Sequence, residues 1–400
     1  MKVLSDRISN LSESATLEMT RKSSELKAKG FDVINLSIGE PDFNTPDCIK
    51  DAAKKAIDDN QTHYTPVAGI QELRQAIAEK LKKDNGLEYT FQQIIVSNGA
   101  KQSIANALLC LVNPGDEVIV PAPYWVSYPE MIKLAEGKMV EIPTTVHSGF
   151  KPTPKQIEAA ITPKTKVFLF NSPNNPSGAV FTEEDLKGIA GVLKKYPNIY
   201  IISDEIYEYL NYTCGHTSIA KFDDLKDRTI IVNGVSKGFA MTGWRIGYMA
   251  APLEIAKACD TLQGQITSGA SSISQLASLR AVKIEPCTSD EMQKMISTFK
   301  TRRDLLLEKL NEIPGIISNT PEGAFYVFAN IADYYGKSNS AMTIKNDVDF
   351  CLFLLEKAHV AVVPGGAFGN GNCVRFSYAT SSDKLVKAAE RIKEALAGLS

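Results

Sequence analysis

Between about residue 94 and residue 250 the chain alternates between short, β-rich apolar runs and helical stretches. The runs are QIIVSNG, DEVIVPAP, KMVEIPT, TKVFLFNS, IYIISDEIY, TIIVNGVS and WRIGYMAAP. Strands this apolar along their whole length need cover on both faces, so the pattern predicts a mostly parallel sheet clad by helices. The helices carry their own punctuation. In FTEEDLKGIAGVLKKYP, Thr182 is placed to cap, Asp185 stands at the third helical position and Pro197 closes the segment. From about residue 286 the character changes to a long charged helix (DEMQKMISTFKTRRDLLLEKLNEI), a strand (AFYVFANI), a second helix, VAVVPGG, VRFSYAT and a last helix. In that last helix Leu385, Ala388, Ile392, Leu396 and Leu399 share one stripe. The expected organisation is a large domain over 46–285 and a smaller α/β domain over 286–400, with residues 1–45 packing against the smaller one. No internal repeat or low-complexity linker interrupts it.

A chain of 400 residues with 44% hydrophobic content can bury an ordinary core, which sets aside disorder and any need for metal or disulfide staples. The net charge of −2, with no basic block, argues against a nucleic-acid or membrane-surface footprint. The N-terminal MKVLSDRISNLSESAT lacks an apolar signal core, and no uninterrupted apolar run reaches the roughly 18 residues of a membrane helix. A soluble, cytoplasmic protein is expected. The seven cysteines (48, 110, 214, 259, 287, 351, 373) are odd in number and never within ten residues of each other, so they read as reduced, mostly buried apolar residues. The four histidines show no ligand spacing, and no metal site is expected.

Parallel sheets bind ligands beyond the carboxyl ends of their strands, and four segments fall there. In SNGAKQS (97–103) a strand runs through Gly99 into a helix near Ala100, where free amides and the helix dipole favour an anion. Taken alone it reads as an ordinary turn. NSPNNPSG (171–178) is a rigid loop that can hold Asn175 at a fixed angle, or simply a turn. In SDEIY (203–207), Asp204 and Glu205 leave a buried strand where an unpaired carboxylate is costly, so one of them needs a partner or caps a helix. IVNGVSKGFAMTGWRIG (231–247) places Lys237 among small residues and Arg245 eight positions on. A lone loop lysine is normally solvated. An amine at one strand end, a carboxylate at another and a phosphate-ready helix start are nonetheless the parts needed to hold pyridoxal phosphate covalently.

At this point the chain resembles the class I aminotransferases of pyridoxal-phosphate fold type I, and specifically the bacterial aspartate aminotransferases of the branch usually called Ib. SATL, IGEPDF, HYTPVAG, SNGAKQ, PYWVSYPE, NSPNNPSG, SDEIYE, SKGFAMTGWRIGY, GAFYVF and RFSYAT occur in the family's order over nearly the whole length. The resemblance implies a mostly parallel seven-stranded sheet in a large domain with a smaller α/β domain beside it. It implies pyridoxal 5′-phosphate as cofactor, a ping-pong exchange between an amino acid and a 2-oxo acid, and a homodimer with shared sites.

By the same resemblance, Lys237 would hold the cofactor and then move the substrate proton, and Asp204 would face the pyridine nitrogen. Tyr207 and Asn175 would meet the ring oxygen, and Trp125 would stack on the ring. Ala100, Lys101, Arg245 and Tyr64 of a second subunit would take the phosphate. Arg375 would grip the substrate α-carboxylate with its planar fork, and Gly39 would close over it through its backbone. Lys101, Thr16 and Ser14 match the positions that read a side-chain carboxylate, although Ser14 and Thr16 could instead cap a first helix ending near Gly30. One departure stands out. Many relatives carry a serine three residues before the lysine, where this chain has Gly234, and Ser236 is not assigned the missing contact. Aspartate is the expected amino donor. Prephenate or aromatic amino acids are the alternative, a lyase or decarboxylase on the same fold is another, and a non-catalytic sensor would be expected to carry an added DNA-binding domain.

Overall fold

The structure is a computed structural model that describes residues 3–213, 215–222, 224–285, 288–339 and 342–400. Cys214 and Cys287 lie outside the described residues. Of the other five cysteines, all are free, and Cys259, Cys351 and Cys373 are buried.

A two-residue strand β1 (Ile34–Asn35) precedes the main sheet, which is built from β2 (Ile94–Ser97), β3 (Glu117–Pro121), β4 (Lys138–Ile142), β5 (Thr165–Asn171), β6 (Tyr200–Asp204), β7 (Thr229–Gly234) and β8 (Gly247–Ala250). Its order is β2-β8-β7-β6-β5-β3-β4, and β8 alone runs antiparallel to its neighbours. All seven apolar runs of the sequence are therefore its strands. Val167, Phe168, Leu169, Ile201, Ile202, Ile230, Ile231 and Val232 are fully enclosed, as strands covered on both faces require. Helix Glu183–Leu193 starts where expected, with a reciprocal Thr182–Asp185 capping box.

The rest of the chain forms β9 (Ile317–Ser318), β10 (Tyr326–Asn330), β11 (Val360–Ala361), β12 (Val363–Pro364) and β13 (Cys373–Ser377). Four of these make an antiparallel sheet in the order β12-β13-β10-β9, while β11 pairs in parallel with β1. Helix Ser382–Ala397 buries Leu385, Ala388, Ile392 and Leu396 against it, and Leu399 packs at the edge. The same apolar cluster takes in Met19, Val33, Ile34 and Leu36 with Phe299, Leu306 and Phe350, so the N-terminal segment shares a core with the C-terminal elements.

The first helix of any length is Ala15–Ala28. Ser14 occupies its N-cap position, but its hydroxyl makes no capping hydrogen bond, and Thr16 lies inside the first turn. The capping explanation of these two residues loses its physical basis.

Candidate active site

The carboxyl ends of β2, β5, β6 and β7 open into one cavity of about 460 Å³. Chain geometry puts the polar groups there. Asn171 and Asp204 are partners on the last rung between β5 and β6, and Lys237 follows β7 by three residues. The Asn171 amide nitrogen donates to the Asp204 carbonyl at 2.8 Å, and its amide oxygen accepts from the Asn175 N–H at 2.8 Å. That tie sets the direction of the NSPNNPSG loop. Asp204 itself accepts from the Tyr128 hydroxyl at 2.6 Å and from the Ile206 N–H at 3.2 Å. Burial pushes its carboxyl up to about 6 despite both donors. A buried carboxylate of this kind is satisfied by a cation, such as a protonated ring nitrogen, arriving in the cavity.

Lys237 is half-buried and donates to the Gly39 carbonyl at 2.6 Å. Its pKa falls to about 8, first through burial, with Glu40 opposing and the Arg375 and Arg245 charges assisting. An amine so placed loses its proton far more readily than a solvated lysine and can serve as nucleophile and base.

The anion cradle is built from close approaches that only glycine permits. Gly99, with φ +84°, precedes helix Ala100–Leu111, and a Cβ there would lie 2.4 Å from the Arg245 guanidinium. A Cβ on Gly247 would lie 2.1 Å from the Ala100 nitrogen. Arg245 is thereby held against a helix N-terminus, where its charge and the open amides favour a phosphate. Gly234 has the same kind of explanation, because a Cβ would stand 2.9 Å from both the Gly247 Cα and the Ile246 carbonyl. A serine has no room at that position unless the β7–β8 backbone moves.

Arg375 enters from β13 and is 2% exposed. It donates to Asn175 Oδ1 at 3.0 Å and to the Ser37 carbonyl at 2.7 Å, and its Nε has no partner among the described residues. A buried guanidinium with a free donor edge on a cavity is a carboxylate receptor in waiting. Lys101 sits at the mouth with its ammonium 4.9 Å above the Trp125 ring, and Ser14, Thr16 and Leu17 line the same space. Desolvation and the nearby Arg245 lower its pKa. Gly39, Ala100, Trp125, Asn175 and Tyr207 line the cavity as well. Tyr64 does not; its side chain is wholly exposed elsewhere on the surface.

Sequence reasoning missed Tyr128 and Tyr326. Both lie inside quoted motifs, PYWVSYPE and GAFYVF, but only the fold shows Tyr128 bonded to Asp204 and packed edge-on to Trp125, or Tyr326 paired with Tyr207. Thr242, which lines the cavity and donates to Glu40 at 2.8 Å, was likewise invisible as a contact.

A parallel sheet that gathers an amine, a buried carboxylate, an anion cradle and a carboxylate receptor at its strand ends defines a group-transfer enzyme of amino-acid chemistry. The chain belongs to the aminotransferase class I and II family, whose profile matches residues 32–392. It is 49% identical to a probable aspartate/prephenate aminotransferase of Rhizobium leguminosarum bv. phaseoli over 98% of both chains. The crystal structure of the aspartate aminotransferase from Rhizobium meliloti superposes with a TM-score of 0.95 at 45% identity, covering 99% of each chain. The aspartate aminotransferase from Thermus thermophilus with maleate gives 0.93 at 42% identity, covering 99% of this chain and 100% of that one.

Proposed function

We propose that the chain is a pyridoxal 5′-phosphate-dependent aspartate aminotransferase that passes an amino group to 2-oxoglutarate, giving oxaloacetate and glutamate by a ping-pong route. The observation that carries the reading is one cavity lined by two separate cationic groups, Arg375 and Lys101, together with a low-pKa lysine. Two carboxylates on one small substrate match that pair. The names of the relatives support the same substrate class.

The residues present fit the cofactor. Arg245 and the amides of Ala100 and Lys101 suit its phosphate, Asp204 a protonated ring nitrogen, Tyr207 and Asn175 the ring oxygen, and Trp125 a ring face. When bound, pyridoxal 5′-phosphate supplies a carbonyl that an amine can capture and a ring that accepts an electron pair. Lys237 would hold the cofactor through that carbonyl and, as a free amine, would move the proton at the substrate α-carbon. Asp204 would face a protonated ring nitrogen. Arg375 holds the α-carboxylate bidentately with Asn175 beside it, and Gly39 closes over the same group through its backbone. Lys101, with Ser14 and Thr16, reads the side-chain carboxylate.

The same reading makes the protein a cytoplasmic homodimer in which Tyr64 completes the phosphate site of the partner copy, supported by the complete exposure of that ring. It divides the chain at about residues 45 and 285. Prephenate, with two carboxylates of its own, is the second substrate, favoured by relatives named aspartate/prephenate aminotransferase.

The deciding experiment offers aspartate, glutamate and tyrosine as amino donors to their matched keto acids, and prephenate as an acceptor from aspartate or glutamate, and measures both products. Stoichiometric oxaloacetate and glutamate from aspartate and 2-oxoglutarate is the expected result. Loss of carbon dioxide or ammonia without amino transfer would establish a decarboxylase or lyase instead.

A further inference from the structure

Tyr326 lies fully buried on β10, yet it borders the cavity, and three groups of the proposed site converge on it. Its hydroxyl is 2.9 Å from that of Tyr207. The Arg375 guanidinium stands 4.4 Å from its ring centroid, and a Cβ on Gly39 would come within 3.3 Å of its oxygen. A phenylalanine would fill the same core volume, so the hydroxyl calls for its own explanation.

Two paired hydroxyls share one hydrogen bond, and either can donate. The choice decides what Tyr207 presents to the cavity. If Tyr207 donates to Tyr326, its only proton is occupied; if Tyr326 donates, the Tyr207 proton is free for an acceptor in the cavity. The more acidic hydroxyl is the better donor. Charged and titratable groups facing the pair are Arg375 on β13, Asp204 on β6, Lys237 after β7, 5.8 Å from the Tyr207 ring, and Glu40 beside Gly39. Burial raises both phenols, Tyr207 well above its ordinary value, and the Arg375 charge opposes the rise in both, but it lies in ring contact with Tyr326 alone of the two. Arg375 is also the only one of these charges in contact with the Tyr326 ring among the described residues.

We propose that Tyr326 is a positioning residue that donates to the Tyr207 oxygen and so turns the Tyr207 proton into the cavity, with Arg375 on its ring setting the direction. The inference rests on the reading of the cavity as a pyridoxal 5′-phosphate site with Tyr207 beside the ring oxygen. Tyr326 then tunes the cofactor without touching it, since a hydroxyl that accepts a hydrogen bond is itself a stronger donor.

The test is a pH titration of the absorbance of the bound cofactor in wild-type, Tyr326→Phe, Tyr207→Phe and doubly substituted holoenzymes. A donor on the ring oxygen withdraws electron density and lowers the pH at which the bound chromophore gains its proton. Tyr326→Phe leaves the Tyr207 contact in place but weakens it, and should raise that midpoint by roughly 0.1 to 0.3 unit, about 10–30% of the effect of one hydrogen bond. Tyr207→Phe should raise it further, and the double variant should match Tyr207→Phe alone. A fall in Tyr326→Phe would show that Tyr207 is the donor of the pair and overturn the assignment. An unchanged midpoint, or additive shifts in the double variant, would reduce Tyr326 to packing. Tyr326→Leu removes ring and hydroxyl together. It should shift the midpoint like Tyr326→Phe while also lowering the unfolding temperature, which separates proton direction from stability. Absence of any titrating band in the wild-type protein loaded with pyridoxal 5′-phosphate would overturn the cofactor reading, and this inference with it.

Discussion

The floor of the cavity and its rim are built on different physical terms. On the floor, Asp204 and Arg375 are 3% and 2% exposed, and buried hydrogen bonds fix both groups, leaving the Arg375 Nε as a free donor. At the rim, Ser14 and Thr16 are partly exposed and Lys101 rests on a ring face at the mouth, while Tyr64, proposed to join the rim of a second copy, is 100% exposed away from this cavity. A site divided this way has a preorganised centre and an adaptable entrance. Chemistry common to all substrates belongs to the first, and choice among substrates to the second.

Lys237→Ala probes the floor at its most demanding point. With no other amine in contact with that end of the cavity among the described residues, turnover should fall by about 10³-fold or more, within the range for a lost acid–base group. Steady-state rates check this, and borohydride treatment of the wild-type protein should fix the cofactor to the peptide containing Lys237. A labelled peptide elsewhere would break the assignment.

The next contrast sets Arg375 against Lys101. Arg375→Ala should depress kcat/KM for every amino acid, since all carry the α-carboxylate, and truncating one partner of a buried charged contact costs roughly 2 to 5 kcal/mol. Lys101→Ala should penalise aspartate and glutamate and spare alanine or an aromatic amino acid. The Lys101 amide is also proposed to touch the phosphate, so cofactor affinity is measured in the same variant and rates are compared at saturation. Equal losses for acidic and neutral donors would remove Lys101 as the reader of the second carboxylate.

This division also explains what was legible in the sequence. The main sheet was readable because its strands are uninterrupted apolar runs ended by polar loops, and the strand-end rule then pointed to Lys237, Asp204, Asn175 and Gly99 as neighbours. Rim residues leave no such trace. By their residue types Ser14 and Thr16 could equally have capped the first helix, and only the resemblance offered them as readers of a carboxylate, while Tyr64 is an exposed aromatic that only the resemblance singled out. Tyr128 and Tyr326 escaped for a third reason. Their hydroxyls matter through partners 76 and 119 residues away, and no local periodicity encodes a contact at that separation.

Tyr64 offers a sharper test of where the rim comes from. If the ring acts on a second copy, mixing Tyr64→Ala with Lys237→Ala subunits should regenerate native sites in hybrid dimers, up to about a quarter of all sites on random reassortment. Activity after subunit exchange measures it, with each variant alone as the baseline. No recovery would mean that the site is completed within one chain, and the rim would have to be redrawn without Tyr64.

The smallest effect lies in the stability of the protein stripped of cofactor, where floor and rim should separate by pH. Asp204 has an ordinary value of 3.8 and a folded one of about 6, so between those values the folded chain binds more protons than the unfolded chain. Stability therefore declines as pH rises through that window. Lys237 runs the other way: its value falls from 10.5 to about 8, so between about 8 and 10.5 the unfolded chain binds more protons and stability climbs with pH. Asp204→Asn should remove the first slope and Lys237→Met the second, each seen as a change of about a few degrees in the unfolding midpoint across its window. Tyr64→Phe should leave both slopes as they are, because the exposed ring touches neither Asp204 nor Lys237. Wild-type slopes persisting in the two floor variants would show that burial of this carboxylate and this amine does not shape the site, and the contrast between a desolvated floor and a solvated rim would fail with it.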